Sequence, residues 1–216
     1  RFGDLPAGTR PLAVPGRFAG DVRHDARRFE QAHLTLGYLA PGHDGADHDA
    51  ALLFATAAGG GMSSRLFQEL REARGLAYSI YASTTPYAET GLFSVYMATA
   101  KRDAARAIAL SETVLAQCAA GLEPAELSRA RAQVRAGLLM ALEGPAGQAE
   151  YLARQLLLRG RIVPPAEVIA RLDACNVDML RAAGARLFAG PVAPASVGAA
   201  APRGKNAAGW SCRRCT

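Results

Sequence analysis

Residues 59–81 read G-G-G-M-S-S-R-L-F-Q-E-L-R-E-A-R-G-L-A-Y-S-I-Y, and the hydrophobic period changes inside them. After Gly59, Gly60 and Gly61, glycines that tolerate left-handed geometry at a helix end, Ser63 or Ser64 can cap a helix running to about Arg74. Leu66, Leu70 and Ala73 fall on one face of that helix, and Gly75 supplies its stop. Immediately beyond, Tyr78, Ile80 and Ala82 alternate with Ser79, Tyr81 and Ser83, the period of a strand. Arg71 thus precedes the turn by about one helical turn, and Tyr78 follows it closely. A helix folding back into a strand can bring both to one side of a sheet. An always-charged planar fork beside a neutral hydroxyl suits the gripping of a carbonyl or an oxyanion. The same spacing also allows a plainer arrangement, with Arg71 paired to Glu69 and Tyr78 in the core.

The flanking sequence predicts α+β architecture. Upstream, F-E-Q-A-H-L-T-L-G-Y-L over Phe29–Leu39 sets Leu34, Leu36 and Tyr38 against His33, Thr35 and Gly37, a half-buried strand stopped by Pro41 and Gly42. Asp47–Ala58 is a short apolar helix. Downstream, a turn near Glu89–Gly91 leads to a strand with Phe93, Val95 and Met97 on one side. Helices then follow at 104–120, 124 to about 142, 148–158, 165 to about 174 and 177–188, and residues 192–199 suit a last edge strand. Strands and helices do not alternate regularly, which favours an antiparallel sheet with helices packed on one face. Residues 1–25 carry Pro6, Pro11 and Pro15 without a sustained period and read as a linker from an absent upstream domain. The domain then occupies 26–200, and 201–216 reads as a disordered tail.

The 216 residues suffice for a sizeable core, and half of them are hydrophobic. The net charge of +6 is spread along helical stretches instead of gathered in a basic block with interleaved aromatics, which argues against nucleic acid as partner. No apolar run is long enough to span a membrane. Cys118 and Cys175 sit in apolar helical patterns as buried thiols. Cys212 and Cys215 form a lone C-x-x-C at the tail, half a zinc site at most.

The stretch 59–81 closely resembles the signature of the second domain of M16B peptidases, the pitrilysin-like zinc peptidases that include mitochondrial processing peptidase and its bacterial relatives. The similarity extends upstream to F-E-Q-A-H-L-T-L-G-Y and downstream through the helices, over roughly residues 20–200. What it implies is a LuxS/MPP-like metallohydrolase domain, the non-zinc half of a pair that closes around an unfolded peptide substrate. Zinc would be held by H-x-x-E-H on an N-terminal domain, where two histidines one helical turn apart share the metal and the glutamate activates water. The opposing half would supply Arg71 and Tyr78, seven residues apart as in the family. Tyr78 would hydrogen-bond the scissile carbonyl or its oxyanion, and Arg71 would hold the substrate backbone. Gly59, Gly60 and Gly61 would form a mobile loop touching substrate, with Ser63 and Ser64 at the next helix start. The parent would work as a homodimer or heterodimer.

The departure from an active half is equally legible. His24, His33, His43 and His48 are all the histidines, and none belongs to H-x-x-E-H. His43 and His48 flank two aspartates, but at a spacing of five with an intervening glycine, which reads as a solvated loop and helix cap. No cofactor is therefore expected in this chain, and the fragment alone is expected to be inactive. The competing reading is an M16-like scaffold or peptide-binding subunit without hydrolysis. A phosphate loop at Gly59–Gly61 lacks the Lys-Ser/Thr ending, and a redox role for the C-x-x-C lacks its strand-helix unit.

Overall fold

The alternating run around Leu34 forms strand β2 (Gln31–Pro41), the middle strand of a five-stranded sheet in the computed structural model, which describes residue 4 and residues 16–198. The other strands are β1 (Arg23–Asp25), β3 (Ala77–Pro86), β4 (Thr90–Ala100) and β5 (Val192–Val197), in the order β1-β5-β2-β4-β3. Eleven consecutive residues of β2 pair with β4 in unbroken antiparallel register, from Gln31 opposite Ala100 to Pro41 opposite Thr90. The helices are α1 (His48–Gly59), α2 (Ala104–Gly121), α3 (Pro124–Ala141), α4 (Pro145–Arg159), α5 (Pro165–Ala174) and α6 (Val177–Ala189).

Period-two alternation decides which side of the sheet the helices cover. Leu34, Leu36 and Tyr38 of β2 and Phe93, Val95 and Met97 of β4 are buried beneath helices, together with Leu53 and Phe54 of α1 and Leu180 and Leu187 of α6. Phe188 of α6 meets Tyr38, Phe54 and Phe93, with ring centroids 5.1, 5.8 and 5.8 Å away. Each such fully buried side chain stabilises the fold by about 1.5–3 kcal/mol. The opposite face is half-exposed. There His33 Nδ1 lies 2.7 Å from the Tyr96 hydroxyl, and Tyr96 packs against Tyr81 at 5.0 Å. The buried thiols also follow from the pattern, and burial pushes Cys118 up to about 11.

Three details differ from the sequence reading. Arg23–Asp25, inside the stretch read as linker, pairs with Ala195–Val197 in parallel, so one margin of the otherwise antiparallel sheet is mixed. That pairing makes β5 an interior strand instead of an edge. Pro194 is nevertheless accommodated, because β1 stops short of it and β5 is still unpartnered on that side there. Asp47 makes no side-chain cap to α1; its carboxylate is drawn to Arg186 at 2.8 Å. The C-x-x-C tail lies outside the described residues.

Candidate functional site

Both singled-out side chains stand on irregular backbone. After an α-turn at Arg65–Leu66, residues Phe67–Glu72 widen into a π-helix, where Ala73 N–H donates to Gln68 C=O at 2.8 Å, five residues back. The helix closes with Gly75 N–H on Arg71 C=O at 3.1 Å and Leu76 N–H on Leu70 C=O at 2.7 Å, a Schellman-type ending stretched by one residue. Gly75 has φ of +57°, the left-handed value that this ending needs and glycine adopts freely. Leu70 and Leu76 are buried and anchor the turn from within. Beyond it, Ala77 pairs with Thr99 and Ser79 with Ala98, so Tyr78 is the extra residue of a β-bulge. A bulge breaks the alternation of faces and re-aims a side chain. π-Turns and bulges alike recur at functional sites, where regular geometry would point a group the wrong way.

The result is that Arg71 and Tyr78 face solvent on either side of one turn. Tyr78 is 57% exposed, on the edge strand of the sheet. The Arg71 guanidinium lies over the Phe67 ring, 4.8 Å from its centroid. Neither the Tyr78 hydroxyl nor the Arg71 guanidinium makes a hydrogen bond or ion pair among the described residues. The plainer arrangement is absent, because Glu69 is taken by Arg74.

The glycines play a different part from the one their conformational freedom suggests. None of Gly59, Gly60 and Gly61 has positive φ. Gly59 instead lets α1 approach β3, since a Cβ there would lie 2.5 Å from the Ala82 nitrogen. The loop is also braced. Ser64 is buried and its hydroxyl donates to Gly61 C=O at 2.6 Å, closing the loop instead of capping the helix, whereas Ser63 is exposed. Gln133 of α3 donates to Gly60 C=O at 2.5 Å, and Gln68 donates to Met62 C=O at 2.7 Å.

Arg65 anchors this assembly to α2 and α3. It holds Glu126 through two 2.6 Å hydrogen bonds and reaches Gly121 C=O at 2.6 Å. Burial pushes the Glu126 carboxyl up, but the Arg65 hydrogen bonds, the Glu123 backbone N–H and nearby arginines outweigh it and hold the group below its usual range. Glu126 belongs to a capping box with Glu123 at the start of α3. The spacing Glu123-Pro-Ala-Glu126 carries that signal in the sequence; the link to Arg65, across 61 positions, has none.

Against this geometry, the comparisons are decisive about family. A family model described as the peptidase M16 inactive domain matches residues 1–134, more than half of the chain. The chain belongs to the M16 peptidase family. An uncharacterized zinc protease of Mycobacterium tuberculosis is 36% identical over 191 residues, covering 85% of this chain and 43% of that protein. The uncharacterized zinc protease YmxG of Bacillus subtilis is 33% identical over 168 residues, covering 75% and 40%. This M16 domain thus spans less than half the length of the curated relatives it matches. In fold it is similar to a peptidase M16 inactive domain from Pseudomonas fluorescens, with TM-score 0.79 and 22% identity over 93% of this chain and 48% of that one. A chain of complex III from Candida albicans superposes with TM-score 0.78 at 19% identity, over 89% and 49%.

The relatives' names make zinc the metal to test for in the M16 domain, and the histidine loop does not fit it. His43 and His48 have ring centroids 6.0 Å apart. The acids around them are committed to arginines: Asp44 faces Arg159 at 3.9 Å, Asp47 Arg186 at 2.8 Å and Asp49 Arg171 at 2.9 Å. Burial, then the nearby Arg159, pulls His43 below its ordinary range, and burial does the same to His48. Among the described residues no group of three or more potential ligands is placed to hold a metal.

Proposed function

We propose that this M16 domain is the substrate-binding half of a zinc metalloendopeptidase acting on extended peptides, with the zinc carried by a second, N-terminal M16 domain. The observation that carries the reading is the pair of exposed, unpartnered donors, Arg71 and Tyr78, each displayed by an irregularity in an otherwise regular domain. What sets these two apart from other exposed side chains is the backbone beneath them, since π-turns and bulges recur where a side chain must be re-aimed for function.

In this reading the Tyr78 hydroxyl donates to the scissile carbonyl as negative charge develops on its oxygen. The Arg71 fork fixes a neighbouring backbone carbonyl of the extended chain, a placement that a single ammonium does not reproduce. Gly59 to Gly61, with the exposed Ser63, border the bound peptide, while Ser64 keeps the loop in shape from inside. Zinc bound in the other domain would supply activation of the attacking water. This chain's residues hold and polarise the peptide.

The test is cleavage of a set of unstructured peptides by the full-length protein, with and without a zinc chelator, beside the 216-residue chain alone. The expected outcome is chelator-sensitive cleavage by the full-length protein only. The second reading is a scaffold or peptide-holding subunit without hydrolysis, with which the family description as an inactive domain is equally compatible. It would be supported by peptide binding to the full-length protein without cleavage. Zinc-dependent cleavage by the 216-residue chain alone would overturn both.

A further inference from the structure

Helix α4 is amphipathic in the inverted sense. Its half-buried positions Tyr151, Gln155 and Arg159, spaced by four, form the side turned to the body of the domain. That side is held by polar contacts: Tyr151 hydroxyl to Val163 C=O at 2.7 Å and Arg159 to His43 C=O at 3.1 Å. The leucines look outward. Leu152, Leu156 and Leu157 are exposed, Leu157 by 75%, and α4 has no buried residue. Met140, at the end of α3 just before α4, is 66% exposed and Ile162, just after it, is 50% exposed. Each of these side chains keeps roughly two fifths or more of its surface open to water, and covering that apolar area would be favourable. An apolar patch of this kind marks a contact surface.

From this patch we infer that the outer face of α4, centred on Leu152, Leu156 and Leu157, is the surface on which the second M16 domain docks. The inference rests on the proposed two-domain arrangement. Chain length selects that occupant over a second copy: relatives such as YmxG carry more than as much sequence again outside the matched region. A domain joined through the same polypeptide is present at an effective concentration on the order of millimolar, enough to keep a modest apolar patch covered that a free second copy would cover only at high concentration. The polar anchorage of α4 to its own domain is consistent with a helix whose apolar burial comes from elsewhere.

The test is photo-cross-linking in the full-length protein, with benzoylphenylalanine placed at position 157 and, as a second site, at position 152. The expected result is an intramolecular cross-link from both sites to peptides upstream of Arg1. Charging the face with Leu156→Asp should then lower the yield from position 157 at least about tenfold while the far-UV circular dichroism is unchanged. Cross-links to a second copy, to lipid, or to residues 1–15 or 199–216 of this chain would overturn the inference, as would no cross-link at either site. The readout needs no hydrolysis. A protein that docks through α4 but cuts no peptide would leave this inference standing and sink the peptidase reading, and the reverse pattern would do the opposite.

Discussion

The β2–β4 pair and the segment 59–81 obey different rules in the same sheet. In the first, eleven residue pairs run without a slip and every second side chain enters the aromatic core. In the second, the helix widens to a π-turn and the strand inserts an extra residue, and the two side chains at those places are left in water. Where burial is the reward, regular geometry maximises it. Irregular geometry is tolerated at Arg71 and Tyr78 because Leu66, Leu70 and Leu76 on either side are fully packed and over-determine the backbone. Under the proposed function the first region serves stability and the second recognition, and that division can be attacked from both ends.

The largest expected effect is on the core. Phe93→Ala, which removes the ring shared by Tyr38, Phe54 and Phe188, should cost about 3–5 kcal/mol of unfolding free energy by denaturant titration. If Tyr78→Ala costs as much, Tyr78 is a packing residue and the contrast collapses. Next, Tyr78→Phe in the full-length protein should lower kcat for peptide hydrolysis about 10²-fold, with KM changed less than about twofold. Equal losses in kcat and in peptide affinity would point to ordinary binding instead of a role in the transition state.

A smaller effect tests the brace that lies between the two regions. Glu126→Gln should destabilise by about 1–2 kcal/mol, since it leaves Arg65 partly buried without its carboxylate. The same pair predicts a pH dependence. The folded carboxyl titrates below the unfolded value, so its stabilisation is present above the ordinary 4.5 and fades as pH falls through the folded value. Thermal melts of wild type and Glu126→Gln should therefore converge in acid, and parallel curves would remove Glu126 from the account. The smallest expected change is that of Arg71→Ala on stability, under about 0.5 kcal/mol, because its guanidinium is exposed and unpaired. A larger loss would mean that the cation over Phe67 serves the fold.

Much of the fold was legible because burial writes a period into the chain. Leu34-x-Leu36-x-Tyr38 and Phe93-x-Val95-x-Met97 announce their faces, α3 and α5 begin at Pro124 and Pro165, and the short helix before β3 stops just ahead of Gly75. The likeness to the M16 signature was legible in residues 59–81 themselves. Tertiary structure decided the rest. It decided that β5 lies inside the sheet, because a three-residue strand far upstream covers it. It decided that Gly59 is needed for the approach of Ala82, a contact between elements with no local trace. It set Arg65 on Glu126 and Gln133 on Gly60, and turned the leucines of α4 outward. The sequence alone determined the faces, the turns and the family, since periodicity and glycine or proline geometry act over a few residues. Pairings across sixty or more residues, the π-turn and the bulge depended on how the assembled elements competed for the same space, and that competition exists only once the chain has folded.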